Sequence, residues 1–441
     1  MIETKASGNA ADGRAWAILA GFGVLFTAAT ALTLDRLIEA DSQQFVLAVL
    51  LQAAIYVAAI WWIAQHGRRP RMLIVVIVAA LAARAIALAA PPYLSTDAYR
   101  YVWDGRVAAA GVNPYRYVPA DPALAKLRDD AIYPNVNRRD YAPTIYPPAA
   151  QIIFLVATRF GETLLSIKIA MVGFEAVAAL ALAALLIRRG EPASRILIYA
   201  WHPLPIWEFA GTGHVDAAAI AFLCLALLAA DRCRRGATGV ALAAAALVKP
   251  FALAIAPALW RRWDWKMPAA ALLTVLVLYA PYLGVGAKVI GFLGSYGGEE
   301  GYYDGSGFYL IALLRALELP APSGRIYAIA ALLFFAALSA TIAFRQPRQG
   351  LRFADAILLG SAFLFLTSPH YAWYFAWVIP LLCGAIYVPL LFATLASFLN
   401  YLPRTTWLGS RLAVDSIIYG GFALLALGSF AAASMRRRRE G

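Results

Sequence analysis

The sequence predicts an all-α, polytopic membrane protein, and three observations carry that prediction. Of its 441 residues 62% are hydrophobic and only 14% charged, with a mean hydropathy of +0.68; a soluble domain of that length needs far more polar surface. Its apolar runs approach the roughly twenty residues that a membrane-spanning helix requires. Nowhere does the chain show alternating strands, a GxGxxG turn or a phosphate-binding loop, so binding or catalysis has no separate soluble domain to occupy. Residues 1–441 read as a single integral membrane domain.

Taken in order, the elements sort by charge. Residues 1–14 are polar and lead into an apolar stretch over 15–34. That stretch is too long for a signal-peptide core and lacks a small-residue cleavage site, so it reads as an uncleaved first span. The net charge of +13 would suggest nucleic acid in a soluble protein. Here the cations sit in short clusters between apolar runs, the signature of loops held on the cytoplasmic side. The clusters are HGRRPR (66–71), RRGEPASR (188–195), DRCRRG (231–236), RRWDWK (261–266), RQPRQGLR (345–352) and the basic tail at 436–441. The other connectors then face out: LDRLIEADSQ, the large loop over 92–146, EFAGTGHVD, a second loop over 284–308, TSPHYAWYF and YLPRTTWLGS. Alternating the two sets gives about 12–14 spans with both termini inside. The stretch 237–260, broken at Lys249-Pro250, has to begin and end on the cytoplasmic side, so it reads as a half-depth helix pair. Cys224, Cys233 and Cys383 fall in or beside apolar runs without CxxC spacing, which points to neither a disulfide framework nor a metal.

The large outer loop opens with PPYLSTDAYRYVWDGR. Ser95 or Thr96 can cap a helix that starts at Asp97, runs to Ala110 and stops at Gly111 before VNPY. On that helix Asp97, Tyr101 and Asp104 share a face, with Arg100 alongside. A first-turn carboxylate sits at the positive end of the helix dipole, which favours its ionised form. Facing a polar pocket at the lipid boundary, it suits a general base. The plainer reading has Asp97 merely capping the helix and Asp104 pairing with Arg100 or Arg106.

Of the four histidines, His66 lies in a basic loop and His202 within a span, while His214 and His370 emerge on the side of Asp97. Either alone fits an interfacial histidine with an aromatic neighbour. Together with Asp97 they form a candidate constellation, expected to converge on one outward cavity. Tyr101, Trp103 and Tyr374 should line it, lipid should reach it sideways, and the loop carrying Tyr302 and Asp304 should roof it. If only one histidine belongs there, His214 is the first to drop, since helix capping alone explains GTGHVD. No HExxH or comparable cluster supports a metal site. The outer aromatics form an interfacial belt or stack on sugar rings, and Arg100, Arg106, Arg116, Arg138 and Arg139 are natural partners for a phosphate. Arg84, Glu175 and Asp355 lie within spans and should face the bundle interior, marking a transport path or forming structural ion pairs.

The motif order STDAYRYVWDGR…GVNPYRYVP, YAPTIYPPAAQIIF, WHPLPIWEFAGTGHVDAAAIAF, LVKP and SPHYAWYFAWVIPLL resembles the polyprenol-phosphate-dependent mannosyltransferases of the GT-C superfamily. That group includes bacterial phosphatidylinositol-mannoside and lipomannan mannosyltransferases and the glycosyltransferase 87 type. The resemblance covers residues 72–401. It implies a multi-pass enzyme of the bacterial cytoplasmic membrane that takes one sugar, mannose, from a polyprenyl-phosphate donor on the outer face. The acceptor would be a glycan or glycolipid, transfer would invert the anomeric centre, and no metal or other cofactor would be needed. Asp97 matches the essential early-loop aspartate, and Tyr101 and Asp104 match the tyrosine or second acid that follows. His214 and Asp216 fit the GHxD pattern. His370, Tyr371, Ala372, Trp373 and Tyr374 match the late HPWY motif with one residue inserted and the proline missing, which leaves open whether His370 or Tyr374 takes its role. The chain also carries two spans before the one leading into the loop, where relatives carry one.

Two other classes compete. A lipid or lipid-linked-sugar flippase without chemistry should show symmetry-related repeats, and none is present. An O-antigen-ligase-like transferase fits the topology but not the early-loop aspartate.

Overall fold

The computed structural model describes residues 2–440 except 70, 346–350, 404, 407 and 409. The chain is 74% helical, with no strand among the described residues. Six helices are long and apolar enough to cross a membrane, and six shorter apolar helices accompany them. In chain order we label α1 (Ile2–Ile38), α2 (Ser42–His66), α3 (Met72–Ala87), α4 (Asp97–Ala109), α5 (Pro148–Thr158), α6 (Leu164–Arg188), α7 (Asp216–Asp231), α8 (Arg235–Ala246), α9 (Pro250–Leu259), α10 (Lys266–Ile290), α11 (Gly324–Phe344), α12 (Phe353–Thr367), α13 (Ala372–Gly384), α14 (Val388–Tyr401) and α15 (Arg411–Met435).

The short helices reflect breakers in the sequence. Residues 193–211 pass through a 3-10 turn, two short α segments and a π-helical stretch at Ile206–Gly211, with Pro203 and Pro205 removing two backbone donors. The stretch 237–260 is indeed interrupted at Lys249-Pro250. Its first arm, α8, has 12 residues, too few to cross a bilayer.

α7 is apolar on every side, and its buried residues run from Asp216 to Leu227, so it sits at the centre of the bundle. α10 and α11 are the opposite case. On α10 only Met267 is buried, and on α11 only Gly324 and Ile342, which leaves both helices bare toward lipid.

The three charges expected to face the bundle interior, Arg84, Glu175 and Asp355, are paired. Arg84 Nη2 lies 2.6 Å from Glu175 Oε1, both residues are buried, and Arg84 also donates to the carbonyl of Ala200 at 2.8 Å. Asp355 meets Arg345 at 3.5 Å. These contacts match the structural-ion-pair reading of the three charges.

The two sets of connectors separate cleanly. Arg68 donates to the Gly190 carbonyl at 2.9 Å, Arg189 to Asp231 and to the Leu351 carbonyl at 2.9 and 3.0 Å, and Arg235 meets Asp264 at 3.5 Å. The basic connectors therefore gather at one end. The remaining connectors gather at the other: Tyr93 on Ala40, Arg138 on Glu299, His370 on Glu300 and Arg411, and Tyr401 on Glu208. Part of the fifth basic connector (346–350), three positions of the 401–410 connector and the side chains of the basic tail lie outside the described residues.

Candidate active site

At the end opposite the basic connectors lies a cavity of about 1100 Å³. Its polar wall comes from the start of α4 (Ser95, Thr96, Asp97), the loop residues Asn137, Arg138 and Tyr146, Lys249 at the α8–α9 break, and Trp373 and Tyr374 at the head of α13. Most of its other lining is apolar or aromatic. Phe251, Ala328, Ala331, Leu332 and Phe335 continue the cavity down to α11, and Phe363 and Leu364 of α12 close the side. A polar head above an apolar channel suits an amphiphile.

Local sequence fixes the head. α4 begins at Asp97 and ends at Ala109, with Gly111 at φ +75 beyond it. Thr96 takes the N-cap position without a side-chain cap bond, and Ser95 before it accepts the Asp97 amide on its Oγ at 3.2 Å. Gly105 allows α4 to press onto α5, since a Cβ there would lie 2.6 Å from the Phe154 carbonyl oxygen. Asp97 accepts from Asn137 Nδ2 at 2.6 Å and from the Tyr146 hydroxyl at 3.2 Å, and its side chain is 18% exposed, toward the cavity. Burial, and then the nearby negative charge of Asp97, push the Tyr146 phenol well above its usual range, so it stays a donor.

Behind Asp97 stands a relay of buried groups. His214 follows Gly213, whose φ of +83 turns the chain tightly beneath α4. Its Nδ1 lies 3.0 Å from Glu208 Oε2, its Nε2 lies 3.1 Å from Ser95 Oγ and 3.8 Å from Asp97 Oδ2, and its ring stacks on Trp373 at 4.2 Å. Glu208 is fully buried within the π-helical stretch, and Tyr401 donates to its other oxygen at 2.7 Å. A carboxylate on Nδ1 places the proton there and leaves Nε2 free to accept one.

Cations complete the site. Lys249 Nζ lies 3.2 Å from Asp216 Oδ2, and 5.0 and 5.9 Å from the ring centroids of Tyr374 and Tyr146. Arg138 pairs with Glu299 at 2.6 Å on the rim. The indole N–H of Trp373 is buried at the cavity wall without an acceptor among the described residues; such a donor awaits a ligand oxygen.

Several expected site residues lie elsewhere. Tyr101 is fully buried, stacked on Phe154 at 4.5 Å behind Tyr146, and Trp103 packs on Tyr133, so neither lines the cavity. The α4 face that carries them turns into protein after its first turn. Asp104 and Arg100 are buried together at 2.9 Å, with Asp104 also held by Thr144 and Gln151 and Arg100 by the Ala142 carbonyl. Arg106 is spent on Asp129 and Glu162 at 2.6 and 2.7 Å. These three residues brace the loop instead of meeting a phosphate. His370 points away from the cavity: Arg411 donates to its Nδ1 at 2.8 Å and its Nε2 lies 2.9 Å from Glu300. The proline before it, Pro369, and Tyr371 after it do line the cavity, so the turn belongs to the site while its histidine latches the roof. Tyr302 contributes to that roof; Asp304 is exposed and bonds within its own turn. His214, ranked behind His370 from sequence, is the histidine beside Asp97. Reading from sequence missed Glu208, Asn137 and Tyr146; the acid six residues before His214 was the one available signal.

The family described as alpha-(1->6)-mannopyranosyltransferase, N-terminal domain, matches residues 13–264, more than half of the chain. The chain belongs to this mannosyltransferase family. Its matched region carries Asp97, Tyr146, Glu208, His214, Asp216 and Lys249, whereas Trp373 and Tyr374 come from beyond it. No curated protein and no solved structure matches the chain. Among the described residues no group of His, Cys, Asp and Glu has metal-holding geometry.

Proposed function

We propose that this mannosyltransferase takes a single mannose from a polyprenyl-phosphate donor and passes it, with inversion, to a hydroxyl of a glycan or glycolipid acceptor on the outer face of the bacterial cytoplasmic membrane. One observation carries this reading. Asp97 is the only carboxylate lining the cavity without a lysine or arginine partner among the described residues, and the cavity extends from it as a mainly apolar channel reaching the bare helix α11.

In this reading the prenyl tail lies along Phe251, Leu332 and Phe335, and its phosphate meets Lys249, with Arg138 and the Trp373 N–H at hand. Asp97 removes the acceptor O–H proton as the oxygen attacks the anomeric carbon. The bond from that carbon to the phosphate oxygen breaks, and its electron pair leaves with polyprenyl phosphate, whose charge Lys249 stabilises. The proton on Asp97 then passes to His214 Nε2, 3.8 Å away, and Glu208 compensates the imidazolium. Asn137 and Tyr146 hold Asp97 in the attacking geometry.

The sidedness follows from the positive-inside rule applied to the basic end, with both termini cytoplasmic. Trp62 of α2 donates to the Ala15 carbonyl at the His66 end, which supports that placement for the N-terminus. The test is transfer in proteoliposomes from synthetic polyprenyl-phosphate mannose, with a chelator present, against a nucleotide-sugar control. Single-mannose transfer from the lipid donor alone supports the reading. Transfer only from the nucleotide sugar, or only with added metal, overturns it.

A further inference from the structure

A second cavity, of about 280 Å³, opens at the basic end of the bundle, between the turns that join α7 to α8 and α9 to α10. Four arginines border it: Arg235, Arg261, Arg262 and Arg345. Arg235 faces Asp264 at 3.5 Å and Arg345 faces Asp355 at 3.5 Å. Neither Arg261 nor Arg262 has a carboxylate partner among the described residues, and both are exposed. Arg262 lies over the Trp263 ring at 5.3 Å.

The floor of this cavity is apolar: Leu259 of α9, Met267 of α10 and Ile342 of α11. The same two helices, α10 and α11, also border the Asp97 cavity through Tyr279 and Phe335. Both lipid-bare helices therefore run from one cavity to the other. On α11, Ala328 lines the Asp97 cavity and Ile342 the basic one, about 21 Å apart at 1.5 Å per residue. Trp263 and Trp265, 73% and 70% exposed, flank the basic opening, where indoles favour the boundary between headgroups and hydrocarbon.

We propose that this basic cavity binds the phosphodiester headgroup of an anionic phospholipid, with the acyl chains lying along the bare faces of α10 and α11. Guanidinium groups grip phosphate oxygens in pairs, and basic pockets between helix ends recognise anionic headgroups. A soluble phosphate would need only the arginines. The apolar floor, the two lipid-bare helices beside it and the flanking indoles fit a lipid. The site is separate from the Asp97 cavity and stands whether or not the donor assignment is right.

The experiment measures Tm in nanodiscs of phosphatidylcholine alone and of phosphatidylcholine with phosphatidylglycerol, alongside native mass spectrometry of retained lipid. For the wild-type chain, phosphatidylglycerol raises Tm by several degrees and is retained as a discrete adduct. Arg261→Gln/Arg262→Gln loses both effects, Arg261→Lys/Arg262→Lys keeps most of them, and Arg232→Gln/Arg234→Gln, which neutralises cations outside the cavity, keeps them fully. An undiminished response in Arg261→Gln/Arg262→Gln overturns the proposal. So does equal stabilisation by inorganic phosphate in phosphatidylcholine nanodiscs, which would make this a site for free phosphate.

Discussion

His214 Nε2 lies 3.8 Å from Asp97 Oδ2, and Ser95 Oγ ties the two loops together by meeting His214 at 3.1 Å and accepting the Asp97 backbone amide. Two loops far apart in sequence thus meet at one pair of side chains. Glu208 lies fully buried on the far side of the imidazole, and in the proposed mechanism it gives that pair a direction for proton movement.

His214→Phe keeps the ring that stacks on Trp373 and removes both nitrogens. It should lower kcat about 10- to 100-fold with KM for donor and acceptor little changed, because the interaction matters once the proton has moved. Glu208→Gln, which keeps shape and one hydrogen bond, should fall between that variant and the wild type. Steady-state kinetics on both substrates decide it; a change confined to KM contradicts the relay.

Lys249→Gln should raise donor KM about 10- to 100-fold, the effect of losing a charged hydrogen bond of about 1.5–3 kcal/mol. Because Lys249 also neutralises Asp216 at 3.2 Å, the double variant Lys249→Gln/Asp216→Asn is the control, and it should retain the raised KM. Arg106→Lys, which alters a brace away from the cavity, should leave donor KM as it was.

Removing one partner of the buried Arg100–Asp104 pair strands a charge. Asp104→Asn or Arg100→Met should therefore cost about 3–5 kcal/mol of stability. The double change Arg100→Met/Asp104→Leu should recover part of it. Thermal melting in detergent checks this, and an active, stable Asp104→Asn protein with normal melting would show that the pair does not hold the loop.

The latch at Glu300 carries a pH signature. Burial penalises its carboxylate, yet hydrogen bonds from His370 and Tyr296 outweigh burial and hold the carboxyl below its usual range. A depressed carboxyl stabilises the fold above its unfolded value, about 4.3 for glutamate, and loses that contribution as pH falls through the folded value. Wild type should thus melt higher than Glu300→Gln at pH 6–7, and the gap should close on acidification below about pH 4.3. His370→Ala should narrow the same gap at neutral pH and change donor KM less than Lys249→Gln does. A gap that widens in acid contradicts the assignment.

The sequence was most informative where one physical rule dominated. Hydropathy and arginine placement sorted the connectors, and the contacts Arg68–Gly190 and Arg189–Asp231 at one end and Tyr401–Glu208 at the other show the same division. The start of α4 was legible from Ser95, Thr96 and Asp97, because caps are local. What periodicity cannot say is which side of a helix faces a cavity and which faces protein. Tyr101 and Asp104 share a stripe with Asp97, yet α5 covers them. Nor does spacing reveal partners: Arg100 and Arg106 look like phosphate ligands until Asp104, Asp129 and Glu162 are seen beside them. The ranking of the two histidines turned on tertiary placement alone. Glu208 was hidden because an acid inside an apolar segment reads as a structural charge until its histidine is found.

The most direct measurement of the central claim is transfer by Asp97→Asn in proteoliposomes supplied with polyprenyl-phosphate mannose and acceptor, with donor binding measured in parallel. The account predicts a protein that inserts, melts and binds donor as the wild type does but transfers about 10²- to 10⁴-fold more slowly, the usual contribution of a general base. Transfer at the wild-type rate would contradict it and move the base elsewhere.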